Sequence, residues 1–218
     1  MTDPTRAAGW ALLCEFTRTA ALRRHALSVE ASMRALGRRS GVADGAELDA
    51  WGLVGLLHDF DYERWPTAAD HVWRGMEILR ERGWPERMIR GVGAHAPYTG
   101  IQPESPLERA IVAADELSGF VGACALVRPS RSVHDLPPES VVKKMKDKAF
   151  ARAVDRDEIR RGAGLVGMAL PDLVALVIAA QRPIADLLGL AGQPGPELPD
   201  VPVPGLPDVG PEPRRASS

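Results

Sequence analysis

Apolar residues recur every three or four positions along most of this chain, and that spacing commits it to helices. Between residues 22 and 39, Leu22, Ala26, Val29, Met33 and Leu36 fall on one helical face. The same reading predicts helices over residues 6–19, 22–39, 47–60, 67–82, 86–94, 106–127, 139–146, 156–166 and 171–188. Gly37, Gly41, Gly83 and Gly189 stand where helices should stop, and Pro85 and Pro106 where they should start. Thr67 with Asp70 three residues on resembles a capping box. No stretch sustains the period-two alternation of a half-buried strand. The expected fold class is therefore all-α, a helical bundle.

Composition narrows the function. With 27 Lys and Arg against 29 Asp and Glu in 218 residues, the net charge is −2. That balance disfavours a nucleic-acid binder, which needs a basic surface. The hydrophobic fraction of 45% is enough to build a core. Cys14 and Cys124 form no CxxC and no disulfide framework. The apolar run before Cys14 has charges on both sides, unlike a signal peptide. The apolar stretch from Leu173 to Leu190 is broken by Gln181, Arg182, Pro183 and Asp186, which is too polar for a membrane span. A soluble, cytoplasmic protein is expected, with neither nucleic acid nor membrane as partner.

Residues 192–218 hold eight prolines and four glycines without hydrophobic period, which predicts an extended, disordered tail. The expected division is a helical domain over residues 1–190, with a core at about 20–126 and C-terminal helices at 138–190, followed by the tail from 191 to 218. The tail carries four acids and two arginines, so the body sums to zero charge.

The third predicted helix ends in HDFDYE, residues 58–63. His58 and Asp59 at an open helix end can both reach one ion, and imidazole with carboxylate suits Mn, Fe, Co, Ni or Zn, with Mg less favoured. The pair alone reads equally as a core histidine and a surface carboxylate. His25 precedes it in the second helix. Asp115 follows it among Ile111, Val112, Ala113, Ala114 and Leu117, where a carboxylate is costly to bury unless paired or metal-bound. The cysteines are placed poorly for this set, so any site is all nitrogen and oxygen, which fits an open catalytic centre better than a closed structural zinc.

This ordered set, His25, His58-Asp59 and Asp115 on helices, resembles the HD superfamily of metal-dependent phosphohydrolases over residues 20–126. The runs LRRHALSVEASMRALG, GLLHDFDYERWP, GAHAPYTG, AADELSGFVGACALVRPS and VKKMKDKAF are similar to small stand-alone bacterial HD-domain hydrolases, to about residue 180. The resemblance implies an HD-type helical bundle and one divalent ion, or two. It would place His25, His58 and Asp115 on one ion, His71 and His95 on the other, and Asp59 as the bridge. Apart from the resemblance, His71 reads as a first-turn polar residue and His95 as a helix C-cap.

All four lysines of the chain lie between Lys143 and Lys148, against 23 arginines elsewhere. Lys143, Lys144 and Lys148, with Arg128 and Arg131 before them, are candidates to bind a phosphate. A solvated helix face is the alternative. Asp61 and Glu63 are candidates to orient water or transfer a proton beside Asp59, or else ordinary loop carboxylates. The leading expectation is hydrolysis of a phosphoester or phosphoanhydride of a small phosphorylated molecule, a nucleotide for choice. A non-catalytic metal- or nucleotide-binding regulatory module is the alternative, and a purely structural helical protein a third. No GYP run follows the HD pair, which disfavours a cyclic-dinucleotide phosphodiesterase.

Overall fold

The computed structural model describes residues 4–198 and 200. Within them the chain is all-α, and an isolated bridge between Ser132 and Ala191 is the sole β pairing among the described residues. The helices are α1 (Arg6–Phe16), α2 (Ala20–Arg39), α3 (Ala46–Leu57), α4 (Trp73–Glu81), α5 (Glu86–Ala94), α6 (Pro106–Leu126), α7 (Pro138–Lys144), α8 (Arg156–Leu165), α9 (Leu170–Gln181) and the short α10 (Ala185–Leu188). No single helix among the described residues is long and apolar enough to cross a membrane.

The helix α2 sits at the centre, packed on α3, α6 and α9. Its contact with α3 is close because Gly55 has no side chain: a Cβ there would lie 2.8 Å from the Val29 carbonyl oxygen and 2.9 Å from Met33. That approach brings the end of α3, where His58 begins, against the middle of α2. One hydrophobic cluster joins Trp10 and Phe16 of α1, Leu27 and Met33 of α2, Leu56 of α3, Phe120 of α6, Ile159 of α8 and Val177 of α9. Each such fully buried side chain contributes roughly 2 kcal/mol. A buried polar bridge ties three helices: Gln181 Nε2 donates to Ser28 Oγ at 2.8 Å and to the Ser118 carbonyl at 3.1 Å.

Several predicted boundaries shift, each for a local reason. The first helix ends at Phe16 rather than residue 19, because Thr17 turns inward and its hydroxyl donates to the Phe60 carbonyl. The predicted helix over 67–82 begins only at Trp73. The Thr67 hydroxyl donates to Asp70 Oδ2, so the pair closes a turn and caps no helix. The long final helix breaks after Gln181, where Pro183 lacks an N–H to continue it. The second and sixth predicted helices instead run almost as read, and α6 opens on a full capping box between Ser105 and Glu108.

The first residues of the expected disordered tail are packed. Arg24 donates through Nη2 to the carbonyls of Gly195 and Pro196, Arg23 to that of Leu198, and Leu198 is buried. The buried Arg23 and the half-buried Arg24, each donating to carbonyls, hold this piece against α2. Residues 199 and 201–218, the rest of the expected tail, lie outside the described residues.

Candidate metal centre

Six side chains from distant parts of the chain meet in one cluster. His25 comes from the second turn of α2, His58 and Asp59 from the turn after α3, His71 from the turn before α4, His95 from the C-cap of α5, and Asp115 from the middle of α6. His25 Nε2 lies 3.2 Å from His58 Nε2 and 3.1 Å from Asp115 Oδ1, and His58 Nε2 lies 3.3 Å from the same oxygen. Asp59 divides its two oxygens. Oδ2 faces His58 Nε2 at 3.5 Å, while Oδ1 faces His71 Nε2 at 3.1 Å and His95 Nε2 at 3.3 Å. Two groups, His25–His58–Asp59 and Asp59–His71–His95, have ligand atoms all within 4.8 Å of one another, and each can hold a metal ion.

The outer nitrogens explain why the inner ones point inward. His58 Nδ1 donates to the Gly55 carbonyl at 2.8 Å, and His95 Nδ1 to the Val92 carbonyl at 2.6 Å. His71 Nδ1 donates to Asp61 Oδ1 at 2.9 Å. With Nδ1 engaged, each ring presents Nε2 to the centre, the arrangement that orients histidine ligands. Tyr98 fixes the same turn by donating from its hydroxyl to the His71 carbonyl, and the Tyr62 ring packs edge-on to His71.

The electrostatics favour a cation. Burial works to lower the His58 and His95 imidazoles, but Asp59 and Asp115 outweigh it and raise both. For His71, burial is likewise outweighed by Asp59 and Asp61, and the ring is pushed up to about 9. Burial opposes ionisation of Asp59 and Asp115 too, yet the His58 charge and the histidine hydrogen bonds hold both carboxyls below their usual range. Imidazole nitrogens 3.2 Å apart need a proton or a cation between them, and here several protons can be exchanged for metal. The donor set of nitrogen and oxygen fits a divalent cation. The site is also open: His58 is fully buried, whereas the side chains of His25, Asp59 and Asp115 stay 24, 26 and 20% exposed. That exposure suits a catalytic centre rather than a sealed structural one.

Other expected residues go elsewhere. Asp61 is fully buried behind His71, its Oδ2 accepting from the Gly75 amide at 2.9 Å. It positions a ligand and is not open to water. Glu63 accepts from the amides of Arg18 and Thr19 and from the Thr19 hydroxyl, so it secures the entry to α2. Its carboxyl stays below the usual value because those donors outweigh burial.

Arg128, Lys143 and Lys144 of the basic strip lie away from the centre. Lys143, Lys144 and Arg128 line a cavity beside Cys124, which is nine residues, about 13 Å, beyond Asp115 along α6. Arg128 pairs with Asp135, and Lys144 pairs with Asp147 and lies over the Phe150 ring. Arg131 is exposed in the loop, at φ 50°. The helix α7 ends at Lys144, so Lys148 shares no face with it, and Lys148 lines a separate cavity with Arg152 and Arg160.

One acid near the centre went unread in the sequence. Glu116 follows Asp115, accepts from the Asp155 amide at 3.1 Å, and is pushed up to about 7 by burial and the Asp115 charge. The adjacent acids in an apolar helix were its signal. His134 sits exposed in the loop after α6, apart from the cluster, and neither candidate metal group contains a cysteine. The chain matches no family model, no curated protein and no solved structure.

Proposed function

We propose that this chain is a metal-dependent phosphohydrolase of the HD type, cleaving a phosphoester or phosphoanhydride of a small phosphorylated molecule. The observation that carries the reading is the division of Asp59, with one oxygen toward His58 and the other toward His71 and His95. A carboxylate so placed would be shared between two cation positions. His25, His58 and Asp115 would hold one divalent ion, His71 and His95 the other. A divalent cation there supplies Lewis acidity and lowers the pKa of water enough for hydroxide to be available near neutral pH.

The chain's own groups supply the rest. The buried Nε2 atoms of His58, His71 and His95 fix the ligand positions, and the exposed edges of His25, Asp59 and Asp115 leave an approach for substrate. In the proposed reaction the oxygen of water joins phosphorus, the P–O bond to the leaving group breaks, and a proton from water ends on the departing oxygen. Asp61 contributes by holding His71 and takes no part in that proton movement.

The test is elemental analysis of the purified protein, followed by a phosphoester and phosphoanhydride panel with added Mn, Ni, Co or Mg. Phosphate release that disappears in Asp59→Ala supports the reading. Protein that binds no divalent metal, or turnover unchanged in Asp59→Ala and His58→Ala, refutes it. A regulatory module without turnover is the second reading, favoured by the engagement of Asp61 and Glu63 in structural contacts. Stoichiometric ligand binding with no product over hours would support it.

A further inference from the structure

A cavity of about 650 Å³ opens directly beside His25. That volume lies within the usual range of small-molecule sites, roughly 300–1,000 Å³. Its α6 wall continues the helical face that carries Asp115: Gly119, Gly122 and Leu126 follow at four, seven and eleven residues. Ala21 borders it one turn before His25 on α2, and Leu188 and Leu190 close it from the far side. The metal ligand His25 is thus shared between the cluster and the cavity.

The chemistry of the wall is selective. No carboxylate lines it and, apart from the His25 ring, nothing aromatic does, so it neither repels a phosphate ester nor offers a stacking face for a base. Its polar liners are already engaged. Ser28 Oγ accepts from Gln181, Ser118 Oγ pairs with Ser32 Oγ, and Arg24 donates to the carbonyls of Leu187, Gly195 and Pro196. What remains is aliphatic.

Two glycines inside a long helix keep the space clear. A Cβ on Gly122 would meet only Leu190 Cδ1 at 3.8 Å, and one on Gly119 only the His25 ring at 3.7 Å. Alanine would therefore fit at either position and favour the helix. A longer side chain at Gly122 would project into the cavity.

We propose that this cavity takes the aliphatic chain of a monoalkyl phosphate whose phosphate group sits at the metal cluster. The proposal rests on the phosphohydrolase reading and narrows its substrate class away from nucleotides. Aliphatic walls bind methylenes by removing them from water, and each one added should strengthen binding about fourfold until the cavity is full.

The experiment is titration calorimetry of the full chain, saturated with Mn²⁺, against methyl-, butyl-, hexyl- and octylphosphonate, with AMP as the nucleotide comparison. The expected result is a Kd falling about fourfold per methylene, with octylphosphonate binding more tightly than AMP. Gly122→Leu should flatten the series while leaving methylphosphonate binding in place. Ala21→Leu, at an exposed position in the first turn of α2, should do the same if Gly122→Leu does not fold. A flat series in the unaltered protein, AMP binding more tightly than octylphosphonate, or a slope unchanged by substitution overturns the cavity proposal. Metal titrated alone reports on the other reading: no binding of Mn²⁺, Co²⁺, Ni²⁺ or Mg²⁺ overturns both, whereas metal binding with a flat series overturns the cavity alone.

Discussion

Asp61 Oδ1 accepts from His71 Nδ1 at 2.9 Å, so a fully buried carboxylate aims an imidazole whose Nε2 lies 3.1 Å from Asp59. The amide keeps nearly the shape of the carboxylate but loses its charge. In Asp61→Asn, His71 becomes less basic and less firmly held, and divalent-metal affinity at the His71–His95 position should fall about 10- to 100-fold. Calorimetric titration with Mn²⁺ measures this. An unchanged affinity would show that Asp61 serves the fold alone.

The division between what was legible and what was not follows the range of the interaction. Helical periodicity is local, and it located α2 and α6 and gave the fold class. His25, His58, Asp59 and Asp115 stood out as polar side chains on or beside apolar helices in an unusual order, His71 and His95 were implied only by the family resemblance, and the fold brings all six together. The structural contacts of Asp61 and Glu63 were not legible because their partners are remote: Gly75 lies on α4, and the Arg18 and Thr19 amides lie before α2. Sequence spacing shows which face a residue occupies, not which amide will claim its carboxylate. The lysines misled for a similar reason. Their clustering is visible in one dimension, but α7, which carries Lys143 and Lys144, packs on α9 and the end of α6, away from the His/Asp cluster.

Gly55 and Gly164 should respond to alanine in opposite directions. At Gly55 the new Cβ would press on the Val29 carbonyl at 2.8 Å, pushing α3 from α2 and moving His58, which is anchored to the Gly55 carbonyl. Gly55→Ala should lose about 1–3 kcal/mol by overpacking. At Gly164, within α8, nothing lies within 4 Å, so Gly164→Ala should gain up to about 1 kcal/mol in helix propensity. Urea unfolding of both variants reads the two signs.

Glu30 is a fully buried carboxylate bracketed by two guanidiniums. Arg6 reaches it at 2.7 and 2.9 Å and Arg34 at 3.2 Å, which pins α1 to α2. Glu30→Ala leaves both cations without this carboxylate and should cost about 3–5 kcal/mol. Urea denaturation measures the loss, and a change under 1 kcal/mol (roughly the value of an exposed pair) would contradict the burial argument.

Glu108 gives stability a defined dependence on acid. Burial works to raise its carboxyl, but the Glu104 and Ser105 amides and Arg90 outweigh that and hold it below its ordinary 4.5. A depressed carboxyl stabilises the fold fully above the unfolded value, and that contribution is lost as pH falls from 4.5 through the native value. Glu108→Gln should cost about 1 kcal/mol at pH 7 through the weakened capping box. Its deficit relative to the unaltered protein should shrink as pH drops below 4.5. Parallel curves at all pH values would exclude the charge as the cause.

Divalent metal should stabilise the fold, and more so at higher pH. A ligand that binds only the native state at 100 times its Kd adds about 2.7 kcal/mol. Metal needs neutral imidazoles, yet in the cluster itself His58, His71 and His95 all hold protons more firmly than usual, His71 up to about 9. Protonation of these rings competes with the cation, so at fixed metal concentration the stabilisation should be smaller at pH 6 than at pH 8, and binding should release protons. Thermal melts with and without Mn²⁺ at the two pH values measure the first effect, and calorimetry in buffers of different ionisation enthalpy the second. In His58→Ala the metal-dependent shift should collapse at both pH values, because His58 Nε2 contacts His25, Asp59 and Asp115 at once.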